Sequence, residues 1–238
     1  MKDVSLLDLL KSGAHFGHTT SRWNPKMKPF IFAVRNNIHI LDLEKTKKHL
    51  LKALSFLTDA ASKGQVVLFV GTKRQAKDII RTAAESCGSP FVNVRWLGGM
   101  FTNFKTIQKT IKKLEKLQET QAGADFDVRY TKKERLMIER EVEKLTKLFD
   151  GVKDMKRLPD IIFVADVNYD DIAVREAQKT KVKIVGLVDS NSSPEGIDYI
   201  IPCNDDATKA VELMVTMAAE AVLEGKSRAT ALKPQEII

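Results

Sequence analysis

The chain has 238 residues, 43 % of them hydrophobic and 29 % charged, with a net charge of +8. That is enough apolar material for a large buried core, and it excludes a disordered or fibrous chain. No apolar run reaches the roughly 20 residues a membrane-crossing helix needs. Cys87 and Cys203 stand apart, in no metal-type spacing, as expected of free thiols in a reducing compartment.

The charge is uneven. Residues 1–119 carry 21 Lys and Arg against 9 Asp and Glu, whereas residues 120–238 carry 18 against 22. A basic half on a folded chain is the electrostatic footprint of a polyanion partner. The plainer alternative is solubility charge scattered over the surface.

The N-terminus, "MKDVSLLDLLKSG", mixes acidic and basic residues without a cleavage signature, so it is expected to be structural rather than a signal peptide. Residues 12–30, "SGAHFGHTTSRWNPKMKPF", follow. His15 and His18 are three apart, but Gly13 and Gly17 argue against a helix that would let them chelate together. Further metal ligands would have to come from distant carboxylates, and the candidate set is His18 with Asp189, Asp205 and Asp206. After the histidines, Arg22, Trp23, Asn24, Lys26 and Lys28 form a donor-rich strip that Pro25 and Pro29 are expected to keep extended. Its composition suits contact with a phosphate backbone, and a solvated loop is the alternative.

"FIFAVRNNIHILDL" (30–43) reads as a β-hairpin, with Asn36-Asn37 supplying the positive-φ turn and Arg35 and Asn36 at its tip. A helix stopped by Gly64 comes next. Three β-branched runs, "VVLFVG" (66–71), "DIIFVAD" (160–166) and "KIVGLVD" (183–189), are expected to be strands buried on both faces, with weaker strands at 91–94 and 199–202. Amphipathic helices over about 73–86, 169–179 and 205–224 alternate with them. Asn168 is a candidate cap for the second, and Asn204 or Asp205 for the third. The fold class is therefore α/β: a doubly wound, mainly parallel sheet with an N-terminal hairpin.

Residues 103–150 break the alternation. Ile107, Ile111 and Leu114, and then Ile138, Val142, Leu145 and Phe149, recur at spacings of three and four among many charges. This predicts two antiparallel helices in a protruding coiled-coil hairpin, each arm roughly 27 Å long at 1.5 Å per residue. The expected organisation is an α/β domain of residues 1–102 and 151–226, the hairpin insertion, and a tail over 227–238.

The sheet invites a search for phosphate-binding signatures. "VVLFVGTKRQAKDII" is neither G-x-x-x-x-G-K-[ST] nor G-x-G-x-x-G, so a pyrophosphate lacks its glycine cradle. Lys73, Arg74 and the start of the next helix are still expected to address an anion, unless this is a tight turn with two solvated cations. "RWLGGMFTNFK" (95–105) offers Arg95, Asn103 and Lys105, with Lys109 beyond. Trp96 either stacks on a base or packs internally. "VDSNSSPEGIDYIIPCNDDA" (188–207) is acidic and therefore a poor RNA surface; a protein contact, a cation or turn chemistry would each explain it. No G-x-S-x-G elbow or evident His–carboxylate pair points to catalysis.

Taken in order, "LLKSGAHFGHTTSRWNPKMKPFIF", "RNNIHILDLEKT", "VLFVGTKRQA", "RWLGGMFTNFKTI", "PDIIFVADVNYDDIAVREA" and "KIVGLVDSNSSPEGIDYIIPCNDDA" carry a resemblance over essentially the whole chain. It resembles the bacterial small-subunit ribosomal protein S2 family. It departs from that family's usual residues at Ala33-Val34, Phe101 and Cys203. The resemblance implies a non-enzymatic, cytoplasmic ribosomal scaffold with no cofactor. Such a scaffold binds small-subunit rRNA between head and body and helps dock neighbouring proteins, including the mRNA-recruiting ribosomal protein S1. It makes the segment Arg22 to Lys28, the turn at Arg35-Asn36, the pair Lys73-Arg74 and the segment Arg95 to Lys105 the RNA-facing candidates. An enzyme acting on a nucleotide or sugar phosphate, and a protein-interaction module built on the helical hairpin, are the competing readings.

Overall fold

The computed structural model describes residues 4–123 and 125–231. In chain order the elements are α1 (Leu6–Ser12), β1 (Phe16–Thr19), a 3-10 helix (Pro25–Phe30), β2 (Ile31–Arg35), β3 (Ile38–Leu41) and α2 (Leu43–Ser62). Then come β4 (Val67–Val70), α3 (Lys77–Ser86), β5 (Phe91–Val92), α4 (Phe104–Ala122), α5 (Phe126–Arg129) and α6 (Lys132–Phe149). The last are β6 (Ile161–Val164), α7 (Asp171–Thr180), β7 (Lys183–Val188), β8 (Tyr199–Pro202) and α8 (Thr208–Ala231). None of the described helices is long and apolar enough to cross a membrane.

The three expected buried strands and the two weaker ones form one parallel sheet in the order β5-β4-β6-β7-β8. Side chains alternate across the sheet, so each strand feeds two cores. Phe69, Phe163, Val185, Leu187 and Ile201 face the layer of α2, α3 and α8. Leu68, Val70, Ile162, Val164, Ile184 and Val188 face the opposite layer, with α7 and the base of α4 and α6. The sequence order turns back between β4 and β6: β5 lies to one side of β4, and β6, β7 and β8 to the other. In doubly wound sheets this reversal opens a crevice at the carboxyl ends of the two central strands, and ligands bind there.

α2 and α8 cross closely on the first layer. A Cβ on Gly225 would lie 2.3 Å from Thr58 O and 2.6 Å from Ala61 Cβ, so only glycine fits the contact. The Thr58 hydroxyl donates to Ala221 O (3.1 Å) at the same crossing.

A second sheet, antiparallel and ordered β1-β3-β2, holds the predicted hairpin. Asn36 (φ 50°) and Asn37 (φ 60°) make its turn, two left-handed residues in succession as a two-residue hairpin loop of this type requires. Residues 25–30 depart from expectation. The strip between Pro25 and Pro29 is not extended but wound into the 3-10 helix. Pro25 occupies its first turn, Asn24 Oδ1 accepts from Lys26 N (3.0 Å), and Met27 anchors it in the core. Proline's fixed φ suits a 3-10 turn as well as an extended strip, and the buried Met27 decides between them.

Between β5 and β6 the chain leaves the sheet as the helical hairpin α4–α6. Thr131 and Glu134 form a capping box at the start of α6. On the seam, Ile107, Ile111, Leu114 and Phe149 are buried, whereas Ile138, Val142 and Leu145 are only half covered. Leu136, Met137 and Val128 are exposed. The close burial expected along a coiled coil is thus found at the base. At the other end of the chain, α8 continues to Ala231, so residues 227–231 belong to a helix and not to a tail. Residues 232–238 lie outside the described residues.

Candidate functional site

The switch-point crevice is bridged by side chains from both of its walls. From the loop after β4, Lys73 Nζ donates to Asp166 Oδ2 (2.8 Å) in the loop after β6. Thr72 donates from its backbone N–H to Asp170 Oδ2 (3.1 Å) and from its hydroxyl to Asp170 Oδ1 (2.6 Å). Gly71 lets the walls close: a Cβ there would lie 2.7 Å from Ile80 and 3.2 Å from Ala165 Cβ. α3 begins only at Lys77, after a turn over 73–76, and the Thr72 N–H is already taken. The regular helix expected from about residue 73 therefore starts later, at Lys77.

Lys73 also departs from its expected role as a solvent-facing cation. Its side chain is 15 % exposed and its ammonium contacts three carboxylates at 2.8 Å, those of Asp166, Asp205 and Asp206. Burial pushes its pKa down, but the three carboxylates more than reverse this and hold it raised. Burial, then the charges of Asp166 and Asp189, push Asp205 up to about 7. Asp206, bonded to Lys73, is held below the usual range.

His18 joins this cluster from β1. Its Nδ1 lies 3.0 Å from Asp189 Oδ2, and its Nε2 lies 3.3 Å from Asp206 Oδ2. Asp189 foremost raises its pKa. The proposed ligand set is thus brought together from three distant stretches of sequence. Ligand atoms of His18, Asp189 and Asp205 all lie within 4.8 Å of one another. Asp205 is buried, yet its Oδ2 has no hydrogen-bond partner. One imidazole nitrogen and two carboxylate oxygens could hold a divalent cation, with solvent completing its shell. His15 is not part of this set; its ring packs on Phe16, with centroids 4.0 Å apart, and burial lowers its pKa.

The acidic loop around 188–207 clasps the N-terminal arm. The Ser190 hydroxyl accepts from His18 N (2.7 Å), and Ser190 O accepts from Asn24 N (2.7 Å). Asn204 donates from its backbone to Ala14 O (3.1 Å) and from its side chain to Gly13 O (3.2 Å). Lys26 pairs with Glu195. Ser190 carries no charge and showed no pattern that would have singled it out, and Asn204 stood out only as a candidate cap. Asn204 does not cap α8, which begins only at Thr208; it organises the turn before it, accepting from Asp206 N and Ala207 N. Asn168 does not cap α7; Asp166 Oδ1 organises that turn by accepting from Asn168 N and Tyr169 N.

A second carboxylate, Glu176 on α7, holds the 95–103 loop. It accepts from the backbone N–H groups of Gly99 (2.6 Å), Phe101 (2.8 Å) and Thr102 (3.1 Å), from the Thr102 hydroxyl and from Trp96 Nε1. Burial raises its pKa, and the three backbone donors together outweigh that, leaving it lowered. Trp96 is 5 % exposed and meets Phe101 edge to face. It is a core residue, so base stacking by Trp96 is replaced by internal packing. The sequence did not mark Glu176, because its partners are main-chain groups.

The remaining candidates differ in availability. Arg22, Lys28, Arg35, Arg74, Arg95, Lys105 and Lys109 are exposed, and among the described residues none meets a carboxylate within ion-pair distance. Asn36 stands exposed at the hairpin turn. Trp23 is half-buried against His39, with ring centroids 5.0 Å apart. The Asn103 side chain accepts from the Thr106 hydroxyl (2.8 Å) at the start of α4.

The sequence matches the family model for ribosomal protein S2 over residues 9–225. The chain belongs to the ribosomal protein S2 family. Three relatives, each called small ribosomal subunit protein uS2, are similar to nearly all of it. That of Pseudoalteromonas atlantica is 48 % identical over 236 residues, covering 99 % of this chain and 97 % of its own. That of a Nitratiruptor species is 50 % identical over 234 residues, covering 98 % and 86 %. That of Bradyrhizobium diazoefficiens is 50 % identical over 229 residues, covering 96 % and 69 %. The S2 family is a structural component of the ribosome and not an enzyme family. In this S2 chain the crevice where a doubly wound enzyme would hold its ligand is crossed by Lys73–Asp166 and Thr72–Asp170.

Proposed function

We propose that the chain is a structural constituent of the small ribosomal subunit, held there by contacts between its basic half and rRNA phosphates. In bacteria that places it in the cytoplasm. The observation that carries this reading is the set of exposed cations without carboxylate partners in the first half of an S2-family chain: Arg22, Lys28, Arg35, Arg74, Arg95, Lys105 and Lys109. Cations already neutralised internally gain little from a phosphate, whereas these would release counterions on binding. Lys73 and Trp96 are committed inside the fold. They act indirectly, by fixing the loops that carry Arg74, Arg95 and Asn103.

The same reading extends to docking of neighbouring proteins between head and body, ribosomal protein S1 among them. The resemblance supports this, and so do Phe32 and Val34, which are exposed on β2. The His18–Asp189–Asp205 cluster is assigned a supporting role, with or without a bound cation: it moors the arm bearing Arg22 and Lys28.

The test is sedimentation of lysate in magnesium, in which the chain should travel with the small subunit. A variant with Arg22, Lys28 and Arg35 changed to Ala should bind rRNA with a log–log salt slope flatter by about one unit per lost contact. An unchanged slope would remove those three residues from the interface.

A further inference from the structure

We infer that the outward face of α4 is a phosphate rail, on which Lys105, Lys109, Lys112 and Lys116 follow the sugar–phosphate backbone of an RNA. This deepens the rRNA-binding reading and rests on it.

The four lysines are spaced four, three and four apart. At 3.6 residues per turn they fall within about 60° of arc, in one row along the helix. Ile107, Ile111 and Leu114, the buried residues of α4, point the opposite way. The packing that roots the helix therefore aims the lysine row at solvent. Eleven residues at about 1.5 Å each put the ammonium groups on a row of roughly 16 Å, a regular step suited to successive phosphates on a strand.

All four lysines are exposed, and among the described residues none has a carboxylate within ion-pair distance. Other cations of the same hairpin are neutralised: Lys113 by Glu141, Arg129 by Asp125 and Lys147 by Glu143. Lys113 sits about 70° to the side of the row, where α6 can reach it. Of the two acidic residues on α4, Glu115 lies about a quarter turn off the row and Glu119 lies beyond its end. Like charges three and four apart weaken a helix, so the row does not serve folding. A polyanion alongside would turn that repulsion into attraction.

RNA is favoured over a protein partner by what the face lacks. No large exposed hydrophobic side chain lies on α4, so the row has no anchor of the kind that dominates protein interfaces, where lysine is depleted. Flexible ammonium groups on long stems suit a sequence-independent backbone.

The test uses the full chain with Lys105→Gln, Lys109→Gln, Lys112→Gln and Lys116→Gln combined, glutamine being nearly as good a helix former as lysine. Circular dichroism should match wild type. Binding to small-subunit rRNA across a salt series should show a log–log slope flatter by about 3 units, at roughly 0.7–0.9 per contact. A control carrying Lys63→Gln, Lys179→Gln and Lys209→Gln on other surfaces should change the slope by less than one unit. If the folded quadruple variant keeps the wild-type slope while wild type binds steeply, the rail is wrong and the rRNA reading stands. If wild type itself shows no salt-dependent rRNA binding, both fall. A variant that enters the small subunit poorly with its rRNA slope unchanged would overturn the rail in favour of an acidic protein partner.

Discussion

At Glu176 one carboxylate replaces the missing hydrogen-bond partners of a loop that has no secondary structure of its own. Its folded pKa lies below the ordinary 4.5, so its stabilisation is present above that value and is lost as pH falls through the folded pKa. Glu176→Gln should cost about 1–3 kcal/mol at neutral pH, the scale of hydrogen bonds to a charged group. The gap to wild type should narrow as pH falls through that lowered pKa, and paired thermal melts across pH check both points. Lys73→Ala is the companion case. It would leave Asp166 and Asp205 buried without their cation, and should destabilise by about 3–5 kcal/mol in denaturant unfolding. Lys73 also marks a limit of sequence reading. A lysine after a strand looks the same whether it meets solvent or three aspartates, and its partners lie 93 and more residues away. The candidate metal set could be guessed only because His18, Asp189 and Asp205 share a donor chemistry. If a cation is bound there, elemental analysis should find it in wild type and find it depleted in His18→Ala.

Among the elements, those with a strong local pattern followed the sequence closely. The five strands are short β-branched or aromatic runs, and burial on both faces, complete in β4, β5 and β6, leaves such runs few alternatives. Asn36-Asn37 is a hairpin turn because asparagine tolerates the left-handed region twice in succession. Where the pattern was compatible with two conformations, tertiary contacts decided: Met27 wound residues 25–30 into a helix, and Asp166 moved the start of α7 past Asn168. The α2–α8 crossing depends on an approach that sequence periodicity does not reveal. Gly225→Leu would drive a side chain into Thr58 O and Ala61, and should lower stability by about 1–3 kcal/mol. Leu223→Ala, at an exposed position on the same helix, should cost far less, and thermal unfolding of the two variants makes the comparison.

For the whole molecule, the imbalance between a basic first half and an acidic second half has two outcomes in the fold. Part of the acidic half, the buried Asp166, Asp189 and Asp205 with the exposed Glu195 and Asp206, pairs within the fold and holds Lys73, His18 and Lys26. Arg22, Lys28, Arg35, Arg74, Arg95, Lys105 and Lys109 of the basic half are left facing outward. Net charge alone could not separate the cations that bind from those that brace, because that division depends on which loops meet at the end of the sheet. The bridged crevice carries its own expectation. Calorimetry with a panel of nucleotides should detect no stoichiometric micromolar binding, and Thr72→Ala combined with Asp170→Ala should not create any, because the glycine cradle is absent as well.

The clasp between residues 13–26 and the 188–206 loop joins two segments that are synthesised far apart in time. On a translating ribosome, the N-terminal arm emerges some 160 residues before Asp189 and Ser190 can receive it, and contacts of such sequence separation form late. A nascent or truncated chain therefore displays its cations on an unanchored segment. Only synthesis of the 188–206 loop sets them in place, so the geometry of the basic arm is a late product of folding.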